Sequence, residues 1–236
     1  MIRLNRTVCV FAALLTAFSV MSQTRKVQNQ PYADHKLYHF GFHVGLHAQD
    51  LLLTNNGLAD ENGIVRFAEI PDYSPGFSVG VIGDLFLNPY MNLRLTPTLH
   101  FGDKTLRYVF SDNREPKDIS VRSNYLSMPL ELKISSMRNN NMRPYIIGGL
   151  YGDLDLGRKR GAEILLGQMD YGFEFGFGCT FYMPFFRFSP ELKFKFGLTN
   201  ILEHNREDLT NDADKIFANS ISKATARMVV LVFNFE

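Results

Sequence analysis

The sequence predicts an all-β fold, an eight-stranded antiparallel up-and-down transmembrane β-barrel. After residue 38, eight segments of about ten residues carry apolar side chains at every second position, which is the period of a β-strand. The gaps between these segments are alternately long and polar, then very short, as in the loops and turns of bacterial barrels. A secretory leader precedes the strands. Together these observations predict a barrel in an outer membrane.

The leader is predicted to be a signal peptide over residues 1–22. Arg3 and Arg6 form its basic flank, and Val8–Phe18 form its apolar stretch. Small or uncharged residues follow through Ser22, so cleavage there would leave Gln23 as the first mature residue. The apolar stretch is too short to cross a bilayer as a helix, so we expect any membrane span to consist of strands.

The rest of the chain is predicted to be one barrel domain over residues 23–236, with a periplasmic N-terminal segment at 23–38. Loss of the leader lowers Lys+Arg from 25 to 23 against 24 acids, which gives a mature net charge of about −1. This balance gives no reason to expect a nucleic acid partner. Cys9 leaves with the leader, so Cys179 is alone and the mature chain can form no internal disulfide.

The first three strands alternate clearly and are joined by one long loop and one turn. Strand one has its apolar face at Phe40, Phe42, Val44 and Leu46, and its other face at Gly41, His43, Gly45 and His47. Strand two sets Phe77, Val79, Val81 and Leu85 against Ser78, Gly80 and Asp84. Strand three sets Leu93, Leu95, Leu99 and Phe101 against Arg94, Thr96, Thr98 and His100. The long loop runs to about Ser74, and Asn88-Pro89 forms the turn.

The fourth and fifth strands follow a second long loop, predicted at Ser111–Ser120. Strand four alternates Leu126, Met128, Leu130, Leu132 and Ile134 with Ser127, Pro129, Glu131 and Lys133. The Asn139-Asn140-Asn141 run then forms a turn. Strand five runs from Arg143 to about Asp153, where the adjacent Ile146 and Ile147 blur the alternation.

The last three strands are rich in phenylalanine. Strand six sets Tyr171, Phe173, Phe175, Phe177, Cys179 and Phe181 against Asp170, Gly172, Glu174, Gly176, Gly178 and Thr180. Strand seven, after a turn at Met183-Pro184, sets Phe186, Phe188, Leu192, Phe194, Phe196 and Leu198 against Arg187, Ser189, Glu191, Lys193, Lys195 and Gly197. A fourth long loop spans about 200–220, and the last strand ends with Val229, Leu231, Phe233 and Phe235.

The order of long and short connections also predicts the orientation. Long gaps follow strands one, three, five and seven, and short turns follow the others. In bacterial barrels the short turns face the periplasm, so both termini of this barrel are expected there. A secreted soluble β-protein is the alternative, but it would have less reason to sort its connections so regularly.

Ten charged side chains are predicted to face the lumen as an ion-pair network. Five are acids and five are bases: Asp84, Glu131, Asp170, Glu174 and Glu191, and Arg94, Lys133, Arg187, Lys193 and Lys195. Eight strands leave an interior that side chains just fill, so we expect a packed plug, with a polar channel as the alternative.

Other candidate sites are weaker. His43, His47 and His100 could act as bases with Asp84 as an orienting acid, or could bind a metal, but no serine, acid or close His-x-His pair accompanies them at a telling spacing. We therefore expect no catalytic residues, metal or cofactor. The basic run Arg158-Lys159-Arg160 in the third long loop is either a solvated tip or a contact for anionic lipopolysaccharide. Cys179 shares the lipid-facing Phe row and should be inert.

Short motifs in strands four to seven resemble a family of small outer-membrane β-barrels. They are Tyr125-Leu126 with Pro129-Leu130 and Leu132-Lys133, then Arg143-Pro144-Tyr145 with Gly148-Gly149, and then Phe188, Glu191-Leu192-Lys193 and Gly197-Leu198-Thr199-Asn200. Within that family the long first loop and the overall length are most similar to the PorT-like barrels of type IX protein secretion.

This resemblance implies a role in protein secretion without catalytic residues. It implies an anchoring or accessory subunit whose partners are outer-membrane lipid, lipopolysaccharide and other secretion subunits, with no small-molecule substrate. The four outer loops and the segment Gln23–Lys36 are its expected binding surfaces. The alternatives are a small-solute porin, a barrel enzyme and a generic structural barrel.

Overall fold

A computed structural model describes residues 28–56, 66–69, 74–110, 115, 117–157, 167–202 and 221–236. The predicted signal peptide, the basic run at 158–160 and most of the fourth long loop lie outside these residues. A short 3-10 helix, Ala33–His35, precedes the strands. Among the residues described, no helix is long and apolar enough to cross a membrane.

The strands form a closed ring and a small second sheet. Their bounds are β1 Tyr38–Asn55, β2 Arg66–Glu69, β3 Ser74–Asn88, β4 Met91–Leu95, β5 Thr98–Phe101, β6 Asp103–Phe110, β7 Lys117–Arg122, β8 Tyr125–Ser135, β9 Met142–Asp155, β10 Met169–Tyr182, β11 Arg187–Gly197 and β12 Ile221–Phe235. In the ring every pairing is antiparallel, and β1 closes it by pairing with both β3 and β12. The predicted up-and-down barrel is confirmed.

Strands β4 and β5 are two halves of the third predicted strand. Gly83 faces Leu95 and Gly80 faces Thr98, so the register with β3 does not shift across the break. Pro97 lies in the break, and its ring nitrogen has no hydrogen to donate to a neighbouring strand. The ladder is therefore interrupted while the barrel wall continues, and the ring counts eight strands.

The first two long connections contain structure that the sequence analysis missed. Strands β6 and β7 form a hairpin that pairs Asp103 with Arg122 and Tyr108 with Lys117, and β2 pairs with the other edge of β6. The prediction of plain polar loops was therefore wrong here. The hairpin directly continues the wall, since one residue separates β5 from β6 and two separate β7 from β8.

The wall has an apolar outer face and a mostly polar inner face. Phe40, Leu130 and Leu150 are more than half exposed on the outside, whereas Arg94 and Glu131 are fully buried on the inside. The ambiguous pair on β9 divides in the same way, with Ile146 outside at 59 % exposure and Ile147 inside at 3 %. Strand β12 is an exception because its inward side chains include a cluster of Met228, Val230 and Val232.

Stacked phenylalanines cover one side of the outer wall. The ring of Phe175 on β10 lies 5.5 Å from that of Phe194 and 5.8 Å from that of Phe196 on β11. Farther around the barrel wall, the Phe188 ring stacks on the Phe233 ring, with the two centroids 6.1 Å apart. Offset stacking of this kind adds to the stabilisation that the rings gain from contact with lipid.

A charge placed on this outer face should destabilise the barrel strongly. Phe175 lies at the middle of β10, so Phe175→Arg is expected to lower the free energy of unfolding in vesicles by about 2–4 kcal/mol. Phe185→Arg is the matched control, since Phe185 lies in the short β10–β11 connection and is 95 % exposed. Urea titrations of both variants in lipid vesicles measure the difference. An equal loss in both would contradict the assignment of the outer face to lipid.

Candidate functional site

The ten predicted lumen residues all point into the barrel, and none is more than 8 % exposed. They occupy alternate positions on β3, β4, β8, β10 and β11. An odd or even position along the strand therefore decides whether each side chain is buried, because neighbouring side chains of a strand point to opposite faces. All of them except Lys133 and Asp170 take part in three groups of ion pairs: a central group, a group near the short turns and a group near the long loops.

Lys193 holds the central group together. Its Nζ lies 2.6 Å from Glu131 Oε1, 3.4 Å from Glu174 Oε1 and 3.2 Å from Glu191 Oε1. Tyr145 donates its hydroxyl hydrogen to Glu191 Oε2 at 2.6 Å. Three strands thus place carboxylates around one ammonium, so loss of this ammonium removes a cation that all three carboxylates share.

Gly149 lies between two of these carboxylates in the sheet. It lies opposite Glu131 on β8 and opposite Glu174 on β10. A Cβ atom on Gly149 would be 2.1 Å from the Leu130 carbonyl oxygen, a distance that the backbone does not allow. The missing side chain therefore lets the backbone of β8 pack closely against β9, with Glu131 and Glu174 on either side of Gly149.

Arg94 is the centre of the group near the short turns. Its guanidinium lies 2.8 Å from Asp84 Oδ2 and 2.5 Å from Glu236 Oε1. The second carboxylate oxygen of Glu236 lies 2.6 Å from Arg187. Arg94 also reaches Glu191 at 3.6 Å, which joins this group to the central one.

Lys195 organises the group near the long loops. Its Nζ lies 3.1 Å from Asp153 Oδ1 and 2.7 Å from Ser127 Oγ, and it lies over the ring of Tyr151 at 4.1 Å from the centroid. Asp153 also accepts a hydrogen bond from Ser127 at 2.5 Å. Lys195 is 4.0 Å from Glu174, so the three groups form one continuous network along the lumen.

Comparison with known proteins identifies the family of the chain. The sequence model of the outer membrane protein beta-barrel domain matches residues 21–203. The chain belongs to this family. No protein of curated function matches the sequence at a significant level.

Several solved outer-membrane barrels are similar in structure to this chain. OprG from Pseudomonas aeruginosa is 13 % identical with a TM-score of 0.47, over 83 % of this chain and 93 % of OprG. Neisserial surface protein A is 9 % identical with a TM-score of 0.45, over 84 % and 98 %. Ail of Yersinia pestis is 8 % identical with a TM-score of 0.31, over 83 % and 96 %.

Two predicted members of the network make no ion pair with any residue that the structure describes. Lys133 has no carboxylate within 4.0 Å among the described residues, and its Nζ lies over the Tyr145 ring at 4.3 Å from the centroid. Asp170 accepts a hydrogen bond from Thr199 Oγ1, while its Oδ2 is buried without a partner. Thr199 lies beyond the end of β11, so the pairing of strands gave no sign of this contact.

Two carboxylates in the network were missed by the sequence analysis. Glu236 follows the last strand and is in phase with the inward-facing Asn234, so its parity could have revealed it. Asp153 is in phase with Tyr151 and Ile147, but the two adjacent isoleucines concealed the alternation of β9. The alternation that predicts both residues was therefore present in the sequence, after the last strand for Glu236 and beyond the two isoleucines of β9 for Asp153.

Two of the histidines, His47 and His100, are joined by a hydrogen-bonded serine that the sequence did not predict. Ser78 Oγ lies 2.7 Å from His47 Nδ1 and 2.8 Å from His100 Nδ1. Sequence spacing gave no sign of this serine, because cross-strand neighbours are not visible in it. Ser78 is only 1 % exposed, which leaves its hydroxyl no surface for a substrate.

Neither the proposed orienting acid nor a group of metal ligands accompanies the histidines in the described part of the chain. Asp84 does not orient an imidazole, since it accepts hydrogen bonds from Arg94 and from Asn92 at 2.7 Å. His43 Nε2 contacts Thr98 Oγ1 at 3.1 Å. In the described part of the chain, no three His, Cys, Asp or Glu side chains are grouped as metal ligands.

Removal of the central cation should cost far more than removal of a surface one. Lys193→Met leaves three buried carboxylates without their shared partner, and a loss of about 3–5 kcal/mol in unfolding free energy is expected. Arg227→Met is the control, since the Arg227 side chain is 44 % exposed where it pairs with Asp50, and such pairs contribute about 1 kcal/mol or less. Unfolding titrations in vesicles measure both. Similar losses would show that the lumen pairs add no more than surface pairs.

Adjacent glycines on β9 provide a second test. Gly149→Ala should destabilise the barrel by about 1–3 kcal/mol, because the added methyl overpacks the wall against β8. Gly148→Ala should change stability little, since the nearest atom to its added Cβ is 3.8 Å away. Heat-modified mobility in gel electrophoresis, followed by unfolding titration, compares the two. A neutral Gly149→Ala would show that β8 and β9 can separate without cost.

Proposed function

We propose that this outer-membrane barrel is a non-catalytic anchoring or accessory component of a protein-secretion machine of the type IX kind. The observation that carries the proposal is the continuous ion-pair network in the lumen. The sequence resemblance to PorT-like barrels supports the choice of machine. Export across the inner membrane would use the signal peptide predicted at residues 1–22.

The closed lumen argues against passage of a polypeptide. Lys193 alone joins carboxylates from three strands, and Arg94 joins this group to Glu236 near the turns. Separating buried ion pairs costs several kcal/mol for each charge left unpaired. Barrels that leave an aqueous channel have about twice as many strands. This geometry therefore fits an anchoring or accessory subunit better than it fits the translocation pore.

The proposed orientation places the short turns in the periplasm. The connections after β3, β8 and β10 are short, and both the segment before β1 and the end of β12 lie at that same end of the barrel. In bacterial barrels this is the periplasmic end. Both termini would then be periplasmic, and the β2–β6–β7 sheet would face the cell exterior.

This orientation assigns the binding surfaces. Outer-membrane lipid would contact the exposed apolar wall, and lipopolysaccharide would contact the outer loops, including the basic run at 158–160. Secretion subunits would dock on the loops or at the periplasmic end. Nucleic acid, cofactor and small-molecule substrate have no place in the proposal.

Deletion of the gene tests the proposed role directly. The deletion strain is expected to lose most export of the machine's cargo, measured by comparing secreted proteins with those of the parent strain. Re-expression of the wild-type chain should restore export. Normal export in the deletion strain would remove the proposal and would favour a generic structural barrel.

Conductance distinguishes the closed barrel from a small-solute porin. The purified protein in a planar bilayer should show no large, stable pore. Lys193→Ala, which removes the central cation, should raise the frequency of transient openings if the variant inserts. A steady conductance from the wild-type barrel would support the porin alternative.

A further inference from the structure

The segment before β1 folds back over the end of the barrel that carries the short turns. We call residues 28–36 the strap. The backbone N–H of Asn29 donates to Asn141 Oδ1 at 2.9 Å in the β8–β9 turn, and its side-chain amide donates to the Tyr182 carbonyl at 2.9 Å at the end of β10. His35 meets the ring of Phe86 on β3, with the centroids 6.5 Å apart. The strap therefore crosses the barrel end from β10 to β3.

Asp34 is the charged contact of the strap. Its carboxylate lies 3.1 Å from Arg143 and 3.5 Å from Arg138, and it accepts the hydroxyl hydrogen of Tyr182. The Arg138 guanidinium also lies over the Tyr182 ring, 3.6 Å from its centroid. Two cations and a phenol, from the β8–β9 turn, the start of β9 and the end of β10, thus converge on a single carboxylate.

Hydrogen bonds to Asn29 and Gln30 hold the backbone of the strap against the barrel end. Arg138 donates to the carbonyl oxygens of both Asn29 and Gln30, the latter at 3.2 Å. Gln30 Nε2 donates to the Met183 carbonyl at 3.0 Å. The φ angle of Gln30 is 49°, a left-handed conformation that non-glycine residues adopt rarely and that these contacts hold in place.

Few apolar contacts secure the strap. Ala33 is its one buried residue in the described part of the chain, and Tyr32 is 80 % exposed. The contacts that hold it are therefore mainly hydrogen bonds and ion pairs, which another peptide with the same groups could make equally well. None of Arg138, Arg143 and Asn141 belongs to the lumen network.

We propose that this end of the barrel is a binding site for a short peptide that carries a carboxylate, that the strap occupies it in the isolated chain, and that a segment of a partner subunit displaces the strap. The recognised pattern is an amide side chain followed four residues later by a carboxylate, as in Gln30 and Asp34. That the partner is a periplasmic secretion subunit rests on the proposed function. The proposal of the site itself rests on the geometry alone. The segment 23–36 was predicted to bind partners, and its described part, residues 28–36, lies against its own barrel.

The test measures peptide binding to the full-length mature chain in detergent micelles. A fluorescein-labelled peptide of the sequence 28–37 is titrated against the wild type and against Asp34→Ala, and binding is followed by fluorescence anisotropy. The Asp34→Ala chain has lost the carboxylate that holds its own strap but keeps Arg138, Arg143 and Tyr182. It is expected to bind the peptide at least about tenfold more tightly than the wild type does.

Three controls define the site. Lys36→Ala changes an exposed strap residue and should bind the peptide no better than the wild type. A peptide in which alanine replaces Asp34 should not bind to the Asp34→Ala chain. Asp34→Ala combined with Arg138→Ala should lose the gain in affinity, because the cation that contacts both the carboxylate and the backbone is missing.

A nitroxide label reports separately whether the strap is released. It is placed on Gln28→Cys in a Cys179→Ser background, and its electron paramagnetic resonance spectrum should show increased mobility in Asp34→Ala. If Asp34→Ala fails to fold, the combined Asn29→Ala and Gln30→Ala variant releases the strap by removing its amide contacts. A mobile strap without improved peptide binding would overturn the proposal, and so would a strap that stays immobile in both variants.

Failure of this proposal and failure of the proposed function give different results. Peptide binding is measured on purified protein and does not depend on any cargo. Normal export from a deletion strain would refute the role in secretion while leaving a measured peptide site in place. Loss of export together with absent peptide binding would refute the site alone.

Discussion

The structure depends on the absence of hydrogen-bonding solvent in the hydrocarbon core of a membrane. Every backbone amide there must find a partner within the protein, and a sheet meets this demand only by closing on itself. Closure between β1 and β12 removes the last free edges of the wall. It also separates the two faces of every strand, so that side chains outside meet lipid and side chains inside meet one another.

The inner face must then neutralise its own charges. Water has little access to an eight-stranded lumen, so an isolated charge there would carry a large desolvation cost. Lys193, Arg94 and Lys195 each contact at least one carboxylate, and the three groups are joined through Glu191 and Glu174. The same network that makes the charges tolerable also fills the space through which solutes would have to pass.

Strand parity explains which features could be predicted from the sequence. It predicted the eight strands, their outer faces and the burial of Glu131 and Arg187, because alternation is a local property. Contacts between strands were harder, since Ser78 meets His47 and His100 only after the register is set. The β6–β7 hairpin was missed because its residues are too polar to resemble membrane strands. The strap was missed because its partners are scattered over separate turns.

Gly149 has a consequence for the evolution of related barrels. Its absent side chain lets the backbone of β8 pack closely against β9, since a Cβ atom at 149 would meet backbone atoms of Leu130 and Glu131. Shortening a neighbouring side chain would not relieve that contact, so a larger residue at 149 would require β8 to move away from β9. Because Glu131 lies on β8, such a movement would also shift its carboxylate relative to Lys193, and related barrels that keep the central ammonium should keep the glycine.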